Sequence, residues 1–112
     1  MSNPTIQLIE RQLEAYNAQD LDAYCACYAP DVVVGNLNGT VSETSRDGLR
    51  ARYAKTFAEF PDNRATLLNR IHVGSTVIDH EDVSRGPGKD RFEVIAIYTV
   101  KDGLIARVDF AK

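Results

Sequence analysis

The segment TVIDHEDVS, residues 76–84, packs Asp79, His80, Glu81 and Asp82 into consecutive positions. In an extended chain successive side chains point to opposite faces. Val77, Asp79, Glu81 and Val83 then share one face, and Ile78, His80 and Asp82 the other. An inward histidine would serve as general acid or base near neutral pH. Two inward carboxyls would raise each other's pKa and form an acid–base pair. The choice rests on the parity of the connection at Arg85–Asp90. A two- or four-residue loop sets Ala96 opposite Asp79, whereas a three- or five-residue loop sets it with the His80 face, because one residue of slip turns every side chain over. His80 is the preferred catalytic candidate, with Asp79 and Glu81 as the alternative. The plain reading of all three is charge at an open rim or on the outer face.

The phenols form a second set. Tyr16, Tyr53 and Tyr98 fall on predicted inward faces, and a buried hydroxyl needs a partner. Either each reaches backbone or water, or together they line a pocket and hold a ligand. Phe57, Phe92 and Phe110 are apolar walls in both cases. His72, in RATLLNRIHV, is expected on the surface or at a subunit contact with Leu68 and Arg70, opposite Leu67, Ile71 and Val73. Cys25 and Cys27, placed on one helix, would sit about 200° apart. They could neither close a disulfide nor grip one metal together, and no further ligand lies at zinc spacing. Buried cysteine packs as a small hydrophobe, and no metal site is expected.

These residues need elements to position them. Asn3-Pro4 reads as an N-cap with proline at the first helical position. Ile6, Ile9, Leu13 and Tyr16 then mark one helix face. Asp20 caps a short second helix through Tyr28, stopped by Pro30-Asp31. A short strand at 32–37 turns at Asn38-Gly39 into Thr40-Val41. Ser45 caps a third helix carrying Leu49, Tyr53, Phe57 and Phe60. Strands follow at 64–73, 76–84, 91–100 and 104–111, separated by Gly74-Ser75, Gly86-Pro87-Gly88 and Asp102-Gly103. Such hairpins make an antiparallel meander, and one face of it can pack on the helices in an α+β domain. Long strands of this kind curl, and helices laid across a curled sheet leave a cone-shaped cavity.

A single domain over residues 1–112 is expected for a chain of this length. At 44% hydrophobic it can bury a core without a disulfide or metal staple. The net charge of −3 and the absence of a basic run argue against nucleic acid as a partner. No stretch reaches the roughly 18 apolar residues of a membrane span. A cytoplasmic protein with reduced thiols is the expectation.

The order of elements, together with AYNAQDLDAYCACYAPDVVV at 15–34, GLRARYAKTFAEFPD at 48–62 and VIAIYTVKDGLIARVDF at 94–110, resembles the NTF2-like superfamily, and within it the SnoaL-like and ketosteroid-isomerase-like proteins. The resemblance implies three N-terminal helices on a curved, mostly antiparallel sheet. That superfamily holds isomerases, cyclases, dehydratases, epoxide hydrolases and non-enzymatic domains, so fold alone does not select a reaction. Ketosteroid isomerases carry a tyrosine on the first helix, an aspartate base after the first strand and a protonated aspartic acid on a late strand. Laying their LNAGDLD on YNAQDLD puts those positions at Gln12, Asn36 and Ala96. Asparagine cannot take up a proton at neutral pH, and alanine offers no donor to an oxyanion. Arg107 and Asp109 alternate with Ala106, Val108 and Phe110 and are expected outward, which does not support an Asp–Arg–Asp epoxide-hydrolase set.

The expected function is binding of a small apolar or aromatic molecule by Tyr16, Asn36, Tyr53, Phe57, Tyr98 and Phe110. Any catalysis would be cofactor-free isomerisation, cyclisation or dehydration. The alternative is a non-enzymatic binding or dimerisation module with a filled cavity. A homodimer is expected in either case, because Ile95, Ile97 and Leu68 on the sheet need a cover.

Overall fold

Asn3 opens the first helix, α1 (Pro4–Ala18), by accepting hydrogen bonds from the backbone of Thr5 at 2.8 Å and Ile6 at 3.3 Å, with Pro4 in the first turn. The computed structural model describes residues 3–112. Gln19, in the left-handed region at φ 56°, ends α1, and its side-chain amide donates to Phe60 O at 2.6 Å. Asp20 then caps α2 (Leu21–Cys25) through Ala23 N.

Helix α2 is shorter than its pattern suggests, and Tyr28 already belongs to strand β1 (Tyr28–Asn36). Proline disfavours helical backbone in the residue before it, so Ala29-Pro30 is extended and the strand begins early. The proline has no N–H for a ladder, and the pairing of β1 with its neighbour is irregular between Tyr28 and Val33. The two cysteines therefore do not share a helix. Cys25 ends α2 and Cys27 lies just beyond it, both buried and both free thiols.

Strand β2 (Val41–Glu43) and helix α3 (Arg46–Glu59) follow. Ser45 caps α3 through Gly48 N at 3.0 Å, and Leu49, Tyr53 and Phe57 form its buried face. The third helix thus comes after two strands rather than before the sheet. Strands β3 (Arg64–Val73), β4 (Thr76–Ser84), β5 (Arg91–Lys101) and β6 (Leu104–Ala111) complete a six-stranded sheet ordered β2-β1-β6-β5-β4-β3. Among the described residues only β1 and β6 pair in parallel; the other neighbours are antiparallel. Helices packed on a mixed, mostly antiparallel sheet make this an α+β fold. Asp102 and Gly103, both at positive φ (53° and 77°), form the two-residue turn between β5 and β6.

The main core lies between helices and sheet, with Ile9, Tyr24, Tyr28, Leu49, Val77 and Ile105 among its most buried members. A smaller cluster of Ala65, Val83 and Val94 packs against Leu13, Tyr16, Phe92 and Phe110. No helix among the described residues is long and apolar enough to cross a membrane.

Candidate functional site

Two features of the sheet decide which residues face the helices. Ser84 pairs with Arg91, so the β4–β5 connection covers residues 85–90, an even number. Asp79 accordingly pairs with Ala96 and Glu81 with Val94. The face that turns inward carries Val77, Asp79, Glu81 and Val83, all buried. His80 points the other way. Its ring bonds Asn69 at 3.0 Å and Glu93 at 2.6 Å on the outer face, so the preference for His80 over the two carboxyls is reversed by the loop's parity.

The second feature is a bulge in β3. Leu67 pairs with Glu81, but Asn69 pairs with His80, leaving Leu68 as the extra residue. Parity along β3 changes there. Arg70 and His72 now lie opposite the inward residues Asp79 and Val77, whereas Ile71 and Val73 are exposed. This corrects the expected partition, in which His72 and Arg70 shared the surface. Arg70 makes a two-pronged ion pair with Asp79, Nε to Oδ1 at 2.7 Å and Nη2 to Oδ2 at 3.0 Å, and also contacts Glu10. Asp79 has no exposure to solvent. Its carboxylate is fully engaged and is not free for chemistry.

Glu81 is different. It is 7% exposed, and among the described residues its carboxyl has no hydrogen-bond or ion-pair partner. Burial pushes its pKa up to about 7, helped by the Asp79 charge and opposed by Arg70. Glu81 lines a cavity of about 130 Å³ between α1, α3 and the sheet. Tyr16, Asn36, Tyr53, Tyr98 and Phe110 line it too, with Gln12, Tyr24 and Phe92. Phe57 does not. It packs within the aromatic cluster, 5.7 Å from the Tyr16 ring and 5.9 Å from Tyr24.

At the cavity's inner end a chain of polar groups runs through Gln12. Its amide donates to Tyr28 Oη at 3.1 Å, Tyr28 donates to Tyr24 Oη at 2.9 Å, and Tyr98 donates to Gln12 Oε1 at 3.4 Å. Burial raises the pKa of all three phenols well above the usual tyrosine range, so they act as neutral donors. Nearer the mouth, Asn63 donates to Tyr16 Oη at 2.7 Å. Tyr53 Oη has no partner among the described residues, and no fully buried side-chain polar atom lacks one. The Tyr53 hydroxyl therefore opens on the cavity. Asn36 sits at the edge, its amide directed to Thr40 at 3.2 Å.

The SnoaL-like domain family matches residues 9–108, nearly the whole chain. The chain belongs to that family. Among solved structures, this SnoaL-like chain is similar to a protein of cystatin fold from Novosphingobium aromaticivorans, with 31% identity over 99% of this chain and 100% of that one, at a TM-score of 0.91. A candidate polyketide cyclase from Sinorhizobium meliloti shares 24% identity over 94% of each chain, TM-score 0.80. An epoxide hydrolase from M. tuberculosis shares 18% over 96% of this chain and 80% of its own, TM-score 0.81. The last two likenesses show a shared fold and nothing finer. No curated protein matches the chain.

Within this SnoaL-like fold, two ketosteroid-isomerase positions do structural work. Gln12 is the hub of the tyrosine chain, and Ala96 is buried against Asp79. Arg107 and Asp109 pair with each other, Nε to Oδ2 at 2.9 Å, with Arg107 in register with Val33 and Thr99 and Asp109 with Gly35 and Ile97. The pattern of the sequence pointed to the tyrosines but missed Gln12, Tyr24, Arg52, Arg85 and Lys112 as lining residues. Gln12 was the most accessible of these, lying one helical turn before Tyr16 on the same side of α1.

Proposed function

We propose that this protein binds a small apolar or aromatic molecule in the cavity and that Glu81 is its acid–base group. The observation that carries this reading is an unpartnered carboxyl on the cavity wall with a pKa near 7. Such a group is populated in both protonation states at neutral pH. As carboxylate it takes a proton from carbon next to a carbonyl; as acid it returns one to a neighbouring position. The free hydroxyl of Tyr53 is the donor available to a developing oxyanion. Isomerisation, cyclisation and dehydration all reduce to this proton traffic, with no step beyond what Glu81 and a phenol supply. Asp79, locked to Arg70, holds negative charge nearby and raises the Glu81 pKa.

A second reading is binding without turnover. It draws support from the tyrosine chain through Gln12, whose hydroxyls satisfy one another and ask nothing of a ligand. One experiment separates the two. Exchange of the α-protons of 2-tetralone in D₂O is followed by NMR for the wild type, Glu81→Gln, Tyr53→Phe and His80→Ala. Glu81→Gln is expected to lower the rate by about 10²-fold or more, Tyr53→Phe by less, and His80→Ala not at all. Equal rates for wild type and Glu81→Gln would remove catalysis by Glu81. Binding detected by thermal shift without exchange would then leave the second reading.

We further propose that the protein is a cytoplasmic homodimer with both thiols reduced and the outer face of the sheet covered.

A further inference from the structure

The residues lining the cavity carry three cations, Arg52, Arg85 and Lys112, and one acid, Glu81, in a chain of net charge −3. The cations are not scattered. Arg85 follows the last residue of β4, Lys112 follows the last of β6, and Arg52 projects from α3, so all three ring one mouth. Four of the seven other arginines are matched to carboxylates: Arg50 to Asp22, Arg70 to Asp79, Arg91 to Asp82 and Arg107 to Asp109. Neither Arg52 nor Arg85 has a carboxylate partner among the described residues, yet both are held in place by neutral groups. Arg85 donates to Asn63 Oδ1 at 2.8 Å, and Asn63 is buried and also holds Tyr16. The Arg85 guanidinium lies 5.0 Å from the Phe60 ring centre and 5.1 Å from that of Phe92, and Lys112 Nζ lies 4.5 Å from Phe92. Arg52 donates to Ser42 Oγ at 3.0 Å and stands 5.7 Å from the Tyr53 ring.

A guanidinium fixed by one nitrogen on a neutral side chain keeps its remaining N–H groups for an anion, and its planar fork suits a carboxylate. Below the rim, aromatic and aliphatic side chains share the wall with Gln12, Thr56 and Glu81. The cavity of about 130 Å³ is close to the roughly 150 Å³ in which an apolar cavity takes up benzene. We propose that the ligand is an aromatic carboxylic acid, its ring among Tyr16, Tyr53, Phe92 and Phe110 and its carboxylate at the mouth between Arg52 and Arg85. This rests on the cavity being a ligand site, as proposed above, and adds the ligand's charge and orientation. The reacting carbon would then lie inward of the anion, toward Glu81.

Three probes of nearly equal shape test it: trans-cinnamate, trans-cinnamamide and cinnamylamine, titrated calorimetrically at pH 7.5 and low ionic strength. Cinnamate is expected to bind about tenfold or more tighter than the amide, the size of one or two charge-assisted hydrogen bonds, and the amine weakest. Arg85→Gln and, separately, Arg52→Gln should each erode the acid-over-amide preference while leaving amide binding in place. Melting of each unliganded variant checks that it is folded, and the wild-type comparison stands without any variant. Amide or amine binding as tight as cinnamate would overturn the anionic ligand alone. So would a preference for the acid that survives in the Arg52→Gln/Arg85→Gln double variant. Failure of all three probes to bind would overturn it together with the ligand-site reading beneath it.

Discussion

Glu81 makes a prediction about stability as well as reactivity. Its pKa stands at about 7 in the fold against 4.5 for an ordinary glutamate. Below about pH 4.5 folded and unfolded chains both carry the proton and Glu81 has no pH-dependent effect. Between about 4.5 and 7 the unfolded chain releases its proton while the fold retains it. Stability therefore falls with rising pH by about 1.4 kcal/mol per pH unit, levelling off above 7 after a loss of about 3 kcal/mol. Glu81→Gln should be markedly more stable than wild type at pH 8 and close to it at pH 4.5, as read by urea unfolding at both values. A constant difference across that range would mean that Glu81 ionises normally. The cysteines carry a simpler expectation. Both thiols are buried, and burial pushes their pKa up. Cys25→Ser should cost about 1–3 kcal/mol by burying a hydroxyl in an apolar site. A chelator should leave the melting temperature unchanged, since no cluster of three metal-ligating side chains exists among the described residues. At this scale the sequence was informative about types but not directions. Tyr16, Tyr53 and Tyr98 could be placed inward from periodicity, whereas the isolation of Glu81 and the engagement of Asp79 depend on partners far along the chain.

The elements were legible where local chemistry governs them. Asn3, Asp20 and Ser45 cap their helices, and Asp102-Gly103 turns β5 into β6, as side-chain and backbone preference require. Two non-local facts were not legible. One was the parity of the loop at 85–90, which needs the ladder's register. The other was the bulge at Leu68, which has no glycine or proline to mark it and shows only when β3 meets β4. Without that bulge Arg70 would sit with the outward set and Asp79 would be a buried anion with no partner. Arg70→Met should therefore cost about 3–5 kcal/mol, the usual penalty for stranding one member of a buried pair. Asp79→Leu in the same chain should restore much of it, because the charge left behind is removed. A double variant no more stable than Arg70→Met in denaturant melts would show that Arg70 acts by packing rather than by pairing.

The whole molecule has two unlike faces, set by the helices all packing on one side of the sheet. That inner side holds the core, the cavity and the Arg70–Asp79 pair. The outer side presents Ile71 at 60% exposure, Val73 at 74% and Ile95 at 39%, with Ile78 and Ile97 in register beside them on neighbouring strands. Ile95 and Ile97 could be read as outward from their strand alone. Ile71 and Val73 joined them only because the Leu68 bulge exchanged the faces of β3, so one irregularity both buries Arg70 and extends the apolar surface. A contiguous aliphatic stripe across three strands, flanked by the His80–Glu93 pair, has the make-up of a self-association surface, since isolated monomers rarely expose such a patch. Light scattering coupled to size-exclusion chromatography should give a dimer at micromolar concentration. Ile71→Glu should shift it to monomer with little loss of monomer stability, because the side chain is mostly in water already. The cavity opens on the other side of the sheet, so ligand affinity should be the same in the monomeric variant. A wild-type chain that stays monomeric at high concentration would overturn the dimer and leave the stripe for another partner. Loss of ligand binding in the Ile71→Glu monomer would instead place part of the cavity's support across the interface.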